Sequence, residues 1–303
     1  MTQRELRAFR LRLRVPFRGL TERRGCLIRG SHGWGEFAPF EDYSTEADAR
    51  WLACALEQAD GRWPPPVREQ VAVNAIVPAV DPEAAAAMAV ASGCRTIKIK
   101  VGDPAGRDRV AAVRVALPDA ALRIDVNGAW TLRQAVTELT ALSEYGLEYA
   151  EQPVRAFADM QALRREVPVP LAADELIRVD RRFDDVAQAA DVAILKVAPL
   201  GGVAATVAAA RRVGLPVVIS SALDSSLGLA AGLAAACALP DVPLACGLGT
   251  GALLAEDVCA PLLPAAGQMS FAGYPSPGAG LRSGAEDHRY WQQRIERAEQ
   301  AAR

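Results

Sequence analysis

From residue 71 onward the chain repeats one unit, and that rhythm limits its fold more than anything else in it. Short apolar runs recur at "VAVNAIVP" (71–78), "TIKIKVG" (96–102), "LRIDVNGA" (122–129) and "EYAEQPV" (148–154). They continue at "PLAADE" (170–175), "VAILKVAP" (192–199), "PVVISSALD" (216–224) and "PLACGLGT" (243–250). Ala- and Arg-rich segments of helical composition, such as "DPEAAAAMAVASG" and "TLRQAVTELTALSEYG", lie between them. Strands this apolar, alternating with helices, belong to a parallel sheet covered on both faces. Eight such units are the number that closes into a (β/α)8 barrel. An open doubly wound sheet is the alternative, and no glycine-rich fingerprint follows the first strand to support it.

The first eighty residues read differently. "FRLRLRVPF" alternates apolar and charged residues, as a half-buried strand does. "RRGCLIRGSHGWGEFAPF" reads as a hairpin turning at Gly30–Gly33, and "STEADARWLACALEQ" as a helix capped by Ser44 or Thr45. The expectation is an α/β chain: a (β/α)8-type barrel over 79–254, preceded by a small α+β capping domain over 1–78 that the segment 255–303 rejoins.

Composition excludes several classes. A net charge of −2 with scattered arginines offers no nucleic-acid surface. No apolar stretch opens the chain as a secretory signal would, and the longest apolar run, 227–240, is too short to cross a bilayer. Six cysteines without a CxxC spacing read as free thiols. A cytoplasmic protein with no membrane or nucleic-acid partner is expected; its oligomeric state stays open, with a lean to monomer.

Each apolar run carries a polar residue near its C-terminal end, where a buried strand should have none. These are Lys98 and Lys100, Asp125 and Asn127, Glu151, Asp174 and Glu175, Lys196, then Ser220 and Ser221. From Lys100 the intervals are 25, 26, 23, 22 and 24 residues, about one βα unit each. Such a ladder points into one cavity at the C-terminal mouth of a barrel. The pleat puts Lys98 and Lys100 on one face and Ile97, Ile99 and Val101 on the other. Mutual repulsion and burial would then depress both lysines toward the range of a general base. The chain has only three lysines against 31 arginines, and all three stand on this ladder. Lysine can give up its proton where arginine cannot. Asp125, Glu151 and Asp174 together require a cation, and all-oxygen ligation suits Mg2+. The bland readings are a helix cap at Asp174–Glu175, a turn fixed by Asn127, and lysines that merely pair the acids.

In this order the residues resemble the enolase superfamily, in its muconate-lactonizing branch: KxK, the Asp of "DVNGAW", the Glu of "AEQP", the Asp of "ADE" and the Lys of "ILK". "GWGEFAPF" is similar to the capping domain of that superfamily. Within the branch, "VISSALDSSLGL" and "CGLGTGALLAEDV" look like the dehydratases of menaquinone biosynthesis. The resemblance implies dehydration of 2-succinyl-6-hydroxy-2,4-cyclohexadiene-1-carboxylate to 2-succinylbenzoate. It implies Mg2+, or Mn2+ in its place, on Asp125, Glu151 and Asp174, Lys100 as base, Lys98 lowering its pKa, and Lys196 holding the intermediate. Ser220, Ser221, Asn127 and Gly247 are expected to contact this small carboxylate substrate. Arg123 either neutralises one of its carboxylates or makes a structural ion pair. A DxD pattern for a substrate amine is missing where Gly247–Thr250 stand. An N-acylamino acid racemase or a cycloisomerase on the same scaffold is the rival enzyme; a binding barrel would have broken metal ligands, and none is broken.

Overall fold

The computed structural model describes residues 4–278 and 284–302. The N-terminal unit is an antiparallel sheet of β1 (Leu6–Phe17), β2 (Leu20–Arg29) and β3 (Trp34–Phe37), backed by α1 (Thr45–Ala59). The Ser44 hydroxyl caps α1 by accepting from the Ala47 N–H. The β2–β3 turn spans residues 30–33, as its glycines suggest.

Beyond it come β4 (Gln70–Ala72), β5 (Ala75–Val77), α2 (Pro82–Ala91), β6 (Thr96–Lys100), α3 (Gly106–Ala116), β7 (Ala121–Asp125) and α4 (Leu132–Leu142). Then follow β8 (Leu147–Glu151), α5 (Phe157–Glu166), β9 (Leu171–Ala173), α6 (Glu175–Arg178), β10 (Val192–Lys196), α7 (Val197–Leu200), α8 (Val203–Arg212), β11 (Val217–Ser220) and α9 (Ser226–Ala238). After a 3-10 turn at Gly249–Leu253 the described chain closes with β12 (Gln268–Ser270) and α10 (Ala285–Ala301). Asp81 with Pro82 starts α2, and Thr131 with Gln134 forms a full capping box on α4, so the helix starts are written locally.

Strands β5 to β11 form one parallel sheet in sequence order. The eighth run is where sequence and structure part. "PLACGLGT" is not an extended strand: only Cys246 and Gly247 pair, Cys246 with Val73 and Gly247 with Ser220. Backbone hydrogen bonds on both sides still close the ring, Cys246 N to Ala72 O at 2.7 Å and Gly247 N to Ile219 O at 2.8 Å. Glycines at 247 and 249 and the turn that begins at once explain the brevity. The first run is broken too, because Asn74 separates β4, which pairs with β12, from β5, which joins the barrel. A domain boundary at residue 78 would therefore cut β5 away from the sheet it belongs to.

The pleat behaves as expected. Ile97, Ile99 and Val101 lie in the core between sheet and helices, while Lys98 lines the cavity inside the barrel and Lys100, on the same face, reaches Asp125 and Asn127. A second core joins the cap to the barrel mouth: Phe9, Phe37, Phe40, Trp51 and Trp291 pack with Ile76, Ala222, Leu223 and Leu227. All six cysteines are free. Among the described residues no helix is long and apolar enough to cross a membrane.

Gly35 shows how tightly the cap is packed. A Cβ there would overlap the Ala55 carbonyl of α1. Gly35→Ala is expected to cost about 1–3 kcal/mol, read as a lower denaturant midpoint with an unchanged slope.

Candidate active site

The strand ends of β6 to β11 bring the ladder together because register carries each residue beside the next. Lys100 aligns with Asp125 and Asp125 with Glu151, and Lys196 with Ser220. Glu151 and Asp174 are fully buried. Lys98 donates to both oxygens of Glu151, at 3.0 and 3.2 Å, and stands 3.7 Å from Asp125. Lys100 lies 3.7 Å from Asp125 and donates to Asn127 Oδ1. Lys196 donates to Asp174 Oδ2 at 2.7 Å.

Asp174 opens α6 without capping it. Its side chain turns to Lys196 and to the Arg178 Nε, 3.0 Å away. Gln152, at φ 41°, braces the turn: its Oε1 accepts the Asp174 N–H at 3.0 Å and the Leu176 N–H at 3.3 Å. Arg178 also donates to Glu175 Oε1 at 2.5 Å and to the Tyr43 hydroxyl of the cap at 2.8 Å.

The electrostatics separate the two neighbouring lysines, for both of which spacing and burial alone predict a lowered pKa. Burial alone would lower Lys98, but Glu151 and Asp125 outweigh it and raise its pKa. Lys100 is lowered, first by burial, with Asp125 opposing and Lys98 adding its repulsion. Lys98 thus acts on Lys100 as a fixed charge. Burial would raise Asp125 and Asp174, yet the ammonium groups of Lys100 and Lys98 hold the first down, and Lys196 with Arg178 the second. Glu151 is pushed up to about 7 by burial and then by Asp125 and Asp174, against the pull of Lys98.

Three carboxylates on adjacent strand ends are a donor set that fits a hard divalent cation. In this structure each is drawn to an ammonium or guanidinium group. Among the described residues no three acidic, His or Cys side chains already stand in a ligand arrangement. Beside the three carboxylates the buried Glu175 Oε2 has no hydrogen-bond partner, so negative charge at the site is left under-compensated.

The cavity at the mouth is lined by Lys98, Asp125, Asn127, Lys196, Ser220, Ser221 and Gly247, with Asn74, Ile76 and Thr250 beside them. Phe17, Arg18 and Phe40 close it from the cap, and Leu223 from the barrel. At about 30 Å3 it has no room for a ring bearing a four-carbon tail, so substrate entry has to widen the mouth. The hydroxyls of Ser220 and Ser221 are engaged, with Gly247 O at 3.3 Å and Thr250 Oγ1 at 2.5 Å.

Arg123 does not reach the cavity, which corrects its place among the substrate contacts. It is wholly buried one layer down, where it donates to Glu148 at 2.5 Å, Asn74 at 2.9 Å and Ala245 O at 2.7 Å, and lies over the Tyr149 ring. Its β6 partner is Lys98, which does line the cavity, so what keeps Arg123 out is the direction of its guanidinium, drawn to Glu148, Asn74 and the Ala245 carbonyl. Asn74 interrupts an apolar run and so carries the same signal as the ladder, on the first run, where the ladder has no member. Arg18, Phe40 and Leu223 come from the cap and a loop, where no strand period announces them.

The cap meets the mouth through Glu36, a buried carboxyl on β3 that accepts from the Ser225 hydroxyl, the Ser225 N–H at 3.2 Å and the Gly228 N–H at 3.2 Å. Burial first and Asp224 second push Glu36 up to about 7, against the Ser225 hydrogen bond and Arg23. A carboxyl raised on folding contributes stability fully below its unfolded pKa and loses it as pH rises through the folded value. Unfolding free energy should therefore drop on the order of 2 kcal/mol between about pH 4.5 and 7 on this account. Glu36→Gln should flatten that slope in denaturant titrations across this range.

With the geometry in place, the comparisons agree with one another. Residues 8–59 match the enolase N-terminal domain-like family and residues 81–284 the enolase C-terminal domain-like family. The o-succinylbenzoate synthase of Thermobifida fusca is 52% identical over 274 residues, covering 87% of this chain and 86% of that protein. The o-succinylbenzoate synthase of Mycobacterium ulcerans is 46% identical over 299 residues, covering 94% and 90%. The muconate lactonizing enzyme of Pseudomonas fluorescens superposes with a TM-score of 0.79 at 23% identity, covering 95% of this chain and 98% of that one, which speaks for the fold alone. The identities extend over nearly the whole chain, cap and barrel together, and the chain belongs to the o-succinylbenzoate synthase family of the enolase superfamily.

Proposed function

We propose that the barrel mouth dehydrates 2-succinyl-6-hydroxy-2,4-cyclohexadiene-1-carboxylate to 2-succinylbenzoate, the carbon–oxygen lyase step of menaquinone biosynthesis, and that Asp125, Glu151 and Asp174 hold a divalent metal, Mg2+ or Mn2+. The observation that carries the reading is the inequality among the three lysines. Lys98 and Lys196 are each held by a carboxylate at 3.0 Å or less, while Lys100 has none closer than 3.7 Å and a lowered pKa.

Lys100 is accordingly the base. It takes the proton from the carbon next to the ring carboxylate, and the electron pair moves into an enediolate. A divalent cation on the three carboxylates supplies the positive charge that this second negative charge needs. The proton on Lys100 Nζ then passes to the departing hydroxyl on the same face, the C–O bond breaks, water leaves and the ring becomes aromatic. Lys98, tied to Glu151, keeps Lys100 depressed without entering the chemistry. Lys196 steadies the anion by charge and by a cation–π contact with the ring. One lysine without a close carboxylate suits a syn elimination. A racemase needs a second base on the opposite face, and Lys196 there is held by Asp174 at 2.7 Å.

With Mg2+ and the cyclohexadiene substrate, the purified protein should form 2-succinylbenzoate, detected by its aromatic absorbance. Racemisation of N-succinylamino acids in the absence of any dehydration would overturn this function. Chelation should abolish turnover, and Mg2+ or Mn2+ should restore it.

Lys100→Arg should lower kcat by roughly 10²–10⁴-fold with metal binding, followed by calorimetry, nearly unchanged. Substantial turnover by that variant would remove Lys100 from the role of base.

A further inference from the structure

Three cap side chains from three different elements reach into one short segment of the barrel, residues 223–228, that no catalytic strand contains. Arg23 of β2 donates from Nε to the Leu223 carbonyl at 3.1 Å and from Nη2 to the Ala38 carbonyl, and stacks over Phe40. Glu36 of β3 gathers the Ser225 hydroxyl and the Ser225 and Gly228 N–H groups at the start of α9. Gln58 of α1 donates to the Leu227 carbonyl at 2.7 Å and accepts the Glu36 N–H at 3.3 Å. All three are buried. The fit leaves no slack, since a Cβ at Gly228 would come within 2.9 Å of the Glu36 carboxyl carbon and of Asp224 Cβ.

The segment they grip carries a backbone outlier. Leu223 sits at φ 62°, a conformation that costs a residue with a Cβ on the order of 1–2 kcal/mol. Such strain persists only where the surroundings over-determine it, and it gathers at functional walls. The hydrogen bond to the Leu223 carbonyl and the one from Ala222 N to Asp224 Oδ2, at 3.0 Å, hold the residue from both sides. Leu223, Ala222 and Ser221 line the cavity together with Phe40, against which Arg23 lies.

We infer that Glu36 and Arg23, seconded by Gln58, are positioning residues of this enzyme: they hold the wall Ser221–Leu223 in the shape that receives the substrate's succinyl tail. The inference rests on the function proposed above. It accounts for the Glu of "GWGEFAPF" and for "SSALDSS", which the chemistry at the lysines leaves unused. The clamp touches neither the lysines nor the three acids, so its loss should act on substrate binding more than on the chemical step.

Steady-state kinetics on the full chain separate these effects. Glu36→Gln and Arg23→Lys should each raise KM about tenfold while kcat stays within about twofold, and Glu36→Asp should recover part of the loss. Affinity for 2-succinylbenzoate, measured by calorimetry, should weaken by the same factor. A folded Glu36→Gln with unchanged KM, or with kcat reduced and KM intact, would overturn the inference. Amide exchange in the wild type gives an answer that does not depend on the variants folding. The Ser225 and Gly228 amides should be among the slow ones, and rapid exchange at both would sink the clamp. A wild type that neither turns over the cyclohexadiene nor binds 2-succinylbenzoate would instead overturn the functional reading, and with it the tail's place on this wall. That result is distinct from a competent enzyme whose KM ignores Glu36.

Discussion

The charge balance at the barrel mouth is the constraint on which the rest depends. Four cations, Lys98, Lys100, Lys196 and Arg178, meet four carboxylates, Asp125, Glu151, Asp174 and Glu175, in a space where most of them are buried. Charges removed from water are tolerated only when each has a partner with good geometry. The parallel register supplies those partners by setting successive strand ends side by side. A slip of one residue on any strand would turn its charge into the apolar layer under the helices. The apolar residues between strands and helices, among them Ile97, Ile99, Leu122, Ile124 and Ala150, thus hold the charges in position as well as forming the core.

The balance is uneven by design of position, and the chemistry follows from the unevenness. Lys98 sits deepest, between Glu151 and Asp125, and Lys196 is tied to Asp174. Lys100, at the rim, has the weakest claim on a carboxylate. A site that must leave one amine free while fixing two others needs lysine at all three positions only where deprotonation or a compact charge matters. The surrounding structural pairs, such as Arg123 with Glu148 and Arg294 with Asp48, are made by arginine. The cap completes the mouth through Phe40, Arg18 and the Arg23–Glu36–Gln58 grip, and Tyr43 ties it to Arg178 beside Asp174.

Much of this was legible in the sequence. The βα repeat and the polar residue closing each run place the lysines and acids at one end of a barrel with no further information. The readings that needed correction have two causes, one local and one distant. The eighth run looked like a strand because it is apolar, but pairing reduces it to Cys246 and Gly247, since two glycines and an early turn let the chain bend away. Arg123 looked like a cavity residue because it shares a pleat with Asp125. Its guanidinium is taken up by Glu148, Asn74 and the Ala245 carbonyl, groups from other runs that its own run does not announce. A lowered pKa is expected from spacing at Lys98 as at Lys100 because spacing is local, whereas Glu151, which raises Lys98, arrives from two strands away.

The sequence by itself determined the fold class and the end of the barrel where the lysines and acids stand, because periodicity and residue type act over a few neighbouring positions. Only the tertiary structure decided which lysine lacks a close carboxylate, which serine hydroxyls are already spent, and how the cap grips residues 223–228. Those outcomes turn on distances between groups far apart in the chain, and burial makes a difference of an ångström in such distances decisive. The left-handed Leu223 belongs with them. Nothing in "SSALDSS" announces a strained leucine, and it stands because Arg23, about 200 residues earlier, holds its carbonyl.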